Sequence, residues 1–161
     1  MNNKIILLVS IFIFSCSSKN NNIIYDGKYD YGSDDFNEIE LVMSYVLDSD
    51  SYRKMRKLKD KEKVKFLDHY WANLDPDKGT SENELLNELK IRVLESKQLF
   101  SGADGGLLSD RAKIYIIYGP PNDEYKKTNY NNNEEVLIWK YRTGYEFNFI
   151  IDNFGRHKLL N

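Results

Sequence analysis

The sequence predicts an α+β fold in which N-terminal helices pack on a C-terminal antiparallel β-meander of three to four strands. Between residues 34 and 100 apolar side chains recur at spacings of three and four, and from residue 110 onward they come in short alternating runs. The two patterns are segregated along the chain rather than interleaved, which argues against a parallel βαβ sheet. With 161 residues, 41% of them hydrophobic, the chain can fill one core of ordinary size. Its net charge of -2 supplies no field that would draw nucleic acid. The 12 tyrosines and 8 phenylalanines fit β structure and core filling.

The chain opens Met1-Asn2-Asn3-Lys4, followed by a nearly all-apolar run from Ile5 to Phe14 and then Ser15 and Cys16. This is the layout of an export signal: a positive start, a short apolar region too brief to span a bilayer, and a small residue before the cut. Ile13-Phe14-Ser15-Cys16 resembles the lipobox of bacterial lipoproteins, whose cysteine is acylated and becomes the first residue of the mature chain. The alternative is an ordinary secretory signal that happens to contain a cysteine. Cys16 is also the single cysteine, so an intramolecular disulfide, a cysteine-rich zinc site and a cysteine nucleophile elsewhere all lack their atoms. Residues 17–33 are rich in Ser, Asn, Asp, Tyr and Gly and read as a flexible tether. The expected organisation is therefore a signal over 1–15, a tether over 16–33 starting at lipidated Cys16, and one α+β domain over 34–161. By resemblance to lipoprotein sorting in Gram-negative bacteria, Ser17 rather than Asp implies the outer membrane, facing the periplasm.

Phe36, Ile39, Val42, Met43 and Val46 form the inner stripe of a first helix, with Ser33 or Asp34 as its cap. Asp48-Ser49-Asp50-Ser51 breaks it, and a second helix carries Met55 and Leu58 inward. The lysines and arginines from Arg53 to Lys65 read either as a solvated helix face or as a contact with anionic headgroups. A third helix opens at Asp60 and turns Val64, Leu67, Tyr70 and Trp71 inward until Asp75-Pro76 stops it. The stretch from Asp75 places Asp75, Asp77 and Asn83 as a calcium loop would, but Gly79 is one position early and Leu86 stands where a bidentate Glu belongs. It reads instead as a turn feeding a capping box of Ser81 and Glu84, followed by a long helix over Glu82 to Phe100.

Asp110 to Pro121 reads as the central strand, with Ala112, Ile114, Ile116 and Tyr118 on one face, Tyr115 and Ile117 on the other, and Gly119-Pro120-Pro121 as its end. Asn122 to Glu135 reads as an exposed polar loop. Val136 to Tyr141, Tyr145 to Ile151 and Arg156 to Leu160 then complete the meander. Trp71, Phe100, Tyr118 and Trp139 are expected to meet between helices and sheet. Asp110 is expected to accept backbone N–H groups of the glycine-rich loop before it, with Arg111 paired to Asp75 or Glu84.

These parts resemble the GWxTD domain family of bacterial, largely Bacteroidetes-type, proteins. The likeness runs from Tyr70-Trp71-Ala72-Asn73-Leu74-Asp75-Pro76-Asp77 through Arg92-Val93, Asp110-Arg111 and Tyr118-Gly119-Pro120-Pro121 to Trp139-Lys140-Tyr141 and Phe147-Asn148-Phe149. The signature itself is Gly106-Leu107-Leu108-Ser109-Asp110, with Leu107 in place of Trp and Ser109 in place of Thr. The resemblance implies a fold and an envelope location, and no assigned chemistry, cofactor or metal.

Two functions compete at this point. One is a lipid-anchored binding or assembly module for an envelope protein or glycan, using Asp75, Asp77, Asp110 and Arg111 as its candidate binding residues. The other is a periplasmic hydrolase. His69 and His157 belong to no nucleophile or metal spacing, and Asp75 and Asp77 straddle a proline as turn residues do. The sequence therefore leans away from an enzyme.

Overall fold

In a computed structural model, residues 26–129 and 134–160 are described. Among the described residues five α-helices precede a four-stranded antiparallel sheet, so the α+β arrangement holds. The helices are α1 (Phe36–Val46), α2 (Ser49–Arg56), α3 (Asp60–Leu74), α4 (Glu84–Leu99) and α5 (Asp110–Tyr118). The strands are β1 (Asp123–Asn129), β2 (Glu134–Lys140), β3 (Glu146–Ile151) and β4 (His157–Leu159), paired in chain order.

Side-chain oxygens start most of the helices, as expected where the first N–H groups lack intrahelical partners. Asp35 accepts from Asn37 N–H, Asp48 from Asp50 and Ser51, and Ser109 from Ala112. The first cap is thus Asp35, one residue beyond the pair expected. At α4 the cap is Asn83 rather than Ser81. Its Oδ1 accepts Leu86 N–H at 3.0 Å while its Nδ2 donates to the Trp71 carbonyl at 2.7 Å. A serine hydroxyl could cap the helix but lacks the second arm that ties the end of α3 to the start of α4. The basic run lies across α2 and α3, where Arg53 pairs with Asp50 and Lys63 with Glu40.

Two apolar cores result. The first joins α1 to α4, with Phe36, Ile39, Met43, Met55, Leu67, Trp71 and Val93 buried together. The second lies between α5 and the sheet and holds Phe100, Ala112, Ile114, Tyr115, Leu137, Trp139, Tyr141 and Phe149. Ile116 belongs to the first core and the rest of the buried α5 face to the second, so this helix is shared by both.

This corrects the reading of Asp110–Pro121 as a strand. The segment is sandwiched between layers as expected, but as a helix. A helix buried on two sides shows only a narrow polar stripe, here Lys113, and over nine residues its apolar run looks like a covered strand. What separates the two is the pair of ends. Ser109 caps the first turn, and Gly119 closes the last with φ +78 while its N–H donates to the Tyr115 carbonyl at 2.7 Å.

A second correction follows in the segment after it. Asn122 to Glu135 is not a loop throughout, since residues 123–129 form β1 and β2 begins at Glu134. The composition is polar because β1 is the edge of the sheet and every residue from 123 to 128 is exposed, which is where charged strands are tolerated. The sheet is consequently a full four-stranded meander without any strand from the 110–118 segment.

The four aromatics expected to meet divide between the cores. Phe100 and Trp139 pack at 5.9 Å between ring centroids, Tyr118 stacks among Tyr141, Tyr145 and Phe147, and Trp71 lies in the helical core against Tyr70. The end of the expected tether also docks. Tyr31 is buried, Lys28 N–H donates to Asp68 on α3, and Asp30 pairs with Lys90 on α4.

Two stability tests follow. Trp71→Ala should cost roughly 3 to 5 kcal/mol, read from denaturant unfolding, because a nearly buried indole leaves a cavity. Gly119→Ala should cost about 1 to 3 kcal/mol, since φ +78 with ψ -167 is a region reserved for glycine. A Cβ there would also stand 3.2 Å from the Arg92 guanidinium. Gly144→Ala, with φ +90 and nothing within 4 Å, tests a positive φ without a neighbouring contact.

Candidate functional site

The candidate residues fall at opposite ends of α5. Its N-terminal end carries Asp110 and Arg111. Ile116 and Ile117, near its C-terminal end, line a groove with Leu74 of α3, the residue before Asp75. Six residues of helix separate Arg111 from Ile117, about 9 Å of axial rise. No clamp forms between Arg111 and the Asp75 turn.

At the N-terminal end, the loop between α4 and α5 contains two 3-10 turns, Gly102–Asp104 and Gly106–Leu108. Arg111 Nε donates to Asp104 Oδ2 at 2.8 Å, and its guanidinium lies 4.8 Å from the centre of the Phe100 ring. The other Asp104 oxygen accepts the His157 backbone N–H at 2.6 Å and stands 3.2 Å from the ring Nδ1. Asp110 Oδ2 accepts Leu159 N–H at 2.9 Å. Asp110 thus holds β4 rather than the glycine loop, and Arg111 pairs with Asp104 rather than Asp75 or Glu84. Burial pushes the Asp104 carboxyl up, but the His157 N–H and the Arg111 guanidinium together outweigh it, and the group sits below its ordinary value.

The stretch 106–110 is explained by the same contacts. Gly106, at φ +62, donates its N–H to the Phe100 carbonyl at 2.7 Å and turns the chain. Leu107 enters the helical core, Leu108 is 74% exposed, Ser109 caps α5, and Asp110 reaches the sheet. Leu107 fills the position where the resembled signature has Trp, and its carbonyl accepts Tyr45 Oη at 3.1 Å.

Asp75 and Asp77 form a self-contained turn. Asp75 Oδ1 accepts Asp77 N–H at 3.1 Å, Asp77 Oδ1 accepts Gly79 N–H at 2.9 Å, and Thr80 hydroxyl bonds the Asp77 carbonyl. Among the described residues no group of three or more His, Asp and Glu side chains is gathered as a metal site would need. His69 is exposed on α3.

The groove that this turn borders has a volume of about 340 Å³. Its walls are Tyr45 and Val46 of α1, Tyr70, Trp71 and Leu74 of α3, Leu85, Glu88, Leu89 and Arg92 of α4, and Ile116 and Ile117 of α5. Leu74 and Leu85 are 42% and 45% exposed at its mouth. Arg92 is held on three sides: Nη1 donates to the Ile116 and Ile117 carbonyls at 3.1 and 2.9 Å, and Nη2 pairs with Glu88. It caps α5, as cations at helix C-termini do. The sequence assigns no contact to Arg92 or Asp104 and offers Asn83 only as a calcium-loop position. Asn83, just before an apolar run, and Asp104, in a glycine-rich loop, carry local signals.

The family model of the GWxTD domain matches residues 15–159. No curated protein and no solved structure matches the chain.

Stability should fall on acidification as Asp104 protonates. Its folded value is lowered, so its contribution is complete above the unfolded carboxyl value near 4 and disappears as pH drops through the lower folded value. Asp104→Asn should remove that part of the acid dependence in thermal melts. Asp110→Asn, which weakens a charge-assisted bond worth roughly 1 to 3 kcal/mol, should lower Tm by several degrees.

Proposed function

The chain belongs to the GWxTD domain family, and we propose that this member is a lipid-anchored outer-membrane protein facing the periplasm. In this reading it binds a segment of another envelope protein in the groove between α3, α4 and α5. The observation that carries it is the pair Leu74 and Leu85, two leucines left exposed at the mouth of a groove walled by aromatic and aliphatic side chains and the Glu88–Arg92 pair. Exposed apolar patches around a concave surface mark places where apolar side chains are received.

A glycan fits the groove less well. Sugar binding needs free hydrogen-bonding groups around an aromatic face, and here Glu88 and Arg92 hold each other while Arg92 is further committed to α5. The hydrolase reading has no comparable support. The contact between His157 and Asp104 shares its carboxylate oxygen with the His157 backbone N–H, which makes it a latch between loop and strand. The anchor itself rests on Cys16, which lies outside the described residues, and on the apolar run before it.

Two experiments test the two halves. Cys16→Ser should abolish incorporation of a fatty-acid analogue and release the protein from membranes; unchanged labelling would rule out the anchor. A photo-crosslinking residue at Leu85 in the full chain should capture a discrete envelope protein in cells, whereas one at Ile91, 55% exposed and outside the groove, should not. Equal capture at both positions would contradict the groove as the binding surface.

A further inference from the structure

The edge strand β1 carries a charge pattern that is complementary to itself. It reads Asp123-Glu124-Tyr125-Lys126-Lys127, with two acids before the tyrosine and two bases after it. β1 pairs with β2 on one side, and no strand of the described residues lies on the other. Asp123, Tyr125 and Lys127 share one face of the strand. Glu124 and Lys126 share the other, where Glu124 accepts the Trp139 indole N–H at 2.7 Å and Lys126 pairs with Glu135 at 3.1 Å. The side chains of Asp123 and Lys127 have no hydrogen-bond or ion-pair partner among the described residues.

We infer that the free edge of β1 is a docking surface for a second copy of this chain, joined antiparallel about a two-fold axis at Tyr125. A free edge offers unpaired backbone groups, and strand addition satisfies them. Around a two-fold axis normal to the sheet, facing residues must lie on the same face of both strands, so the axis falls on a residue. With the axis at Tyr125, Asp123 faces Lys127 and Glu124 faces Lys126, each twice across the dyad. Moving it to Glu124 or Lys126 sets that residue's like charges opposite each other and undoes the matching of acids with bases. Moving it to Lys127 does the same with lysine.

Charges on an edge strand ordinarily repel unrelated strands. Here the registers about Asp123, Glu124, Lys126 or Lys127 set like charges together, and the register about Tyr125 matches every acid with a base, because acids and bases are sorted to opposite halves of the strand. Opposite charges facing across strands stabilise the pair and like charges destabilise it, so the pattern selects both partner and register. This inference does not depend on the groove, which lies among the helices.

Asp123 and Lys127 allow a reciprocal test, since substituting either removes no contact within the chain. The full chain in density-matched detergent should sediment as a concentration-dependent dimer. Asp123→Lys alone and Lys127→Glu alone each create two repelling pairs and should raise the dissociation constant by roughly tenfold or more. An equimolar mixture of the two variants restores every facing pair and should return to the wild-type constant. In membranes, Tyr125→Cys should form a disulfide-linked dimer on mild oxidation, because facing Cα atoms in an antiparallel pair are about 4.5 to 5.5 Å apart. Phe154→Cys, 76% exposed and off the edge, is the control. A monomeric wild type, a dimer that neither charge change weakens, a mixture that stays dissociated, or a dimer without the Tyr125→Cys link would each overturn the inference.

Discussion

Helix α5 is buried on two sides, and the rest of the molecule is placed by the need to cover both. Ile116 faces the helical core while Ala112, Ile114 and Tyr115 face the sheet. A nine-residue helix has little stability of its own in water, so it forms because neighbours remove its surface from solvent. Each core in turn lacks a wall without it. The meander alone would expose Leu137, Trp139 and Phe149, and α1 to α4 would expose the residues that Ile116 and Leu107 cover.

Both ends of this helix are fixed by groups outside it. Ser109 and the Asp104–Arg111 pair hold the start, and Asp110 extends the same fastening to β4. Arg92 holds the finish by donating to the last carbonyls, which requires the chain to leave through Gly119 so closely that no Cβ fits comfortably. The Tyr141 hydroxyl adds a sheet contact there, donating to the Gly119 carbonyl at 2.9 Å. The candidate binding residues Asp110 and Arg111 make two of these fastenings. A groove with Leu74 and Leu85 uncovered at its mouth lies at the other end.

The order of helices and then strands was legible because long amphipathic segments declare their period. The stripes through Ile39 and Met43, through Leu67 and Trp71, and through Leu89 and Val93 face inward as expected. The α5 segment reads as a strand because burial on two sides narrows the polar face that distinguishes period 3.6 from period 2, leaving Ser109 and Gly119 as punctuation. β1 was misread for the opposite reason, since an edge strand need not bury side chains and its charged sequence looks like a loop. The pairing of Arg111 with Asp104 instead of Asp75 depends on a distance along α5, and a segment taken as a strand gives the wrong neighbours at both ends.

If α5 couples the two cores, they cannot open separately. Native-state hydrogen exchange over a denaturant series measures this directly for backbone amides of Ile39 to Met43 in α1, Ile114 to Ile116 in α5, and Leu137 to Trp139 in β2. Opening through one cooperative unit predicts that the most protected amides in all three segments converge on the same free energy and the same denaturant slope. Amides of β2 that exchange through a separate opening, with a smaller slope and with α1 and α5 still protected, would contradict the account.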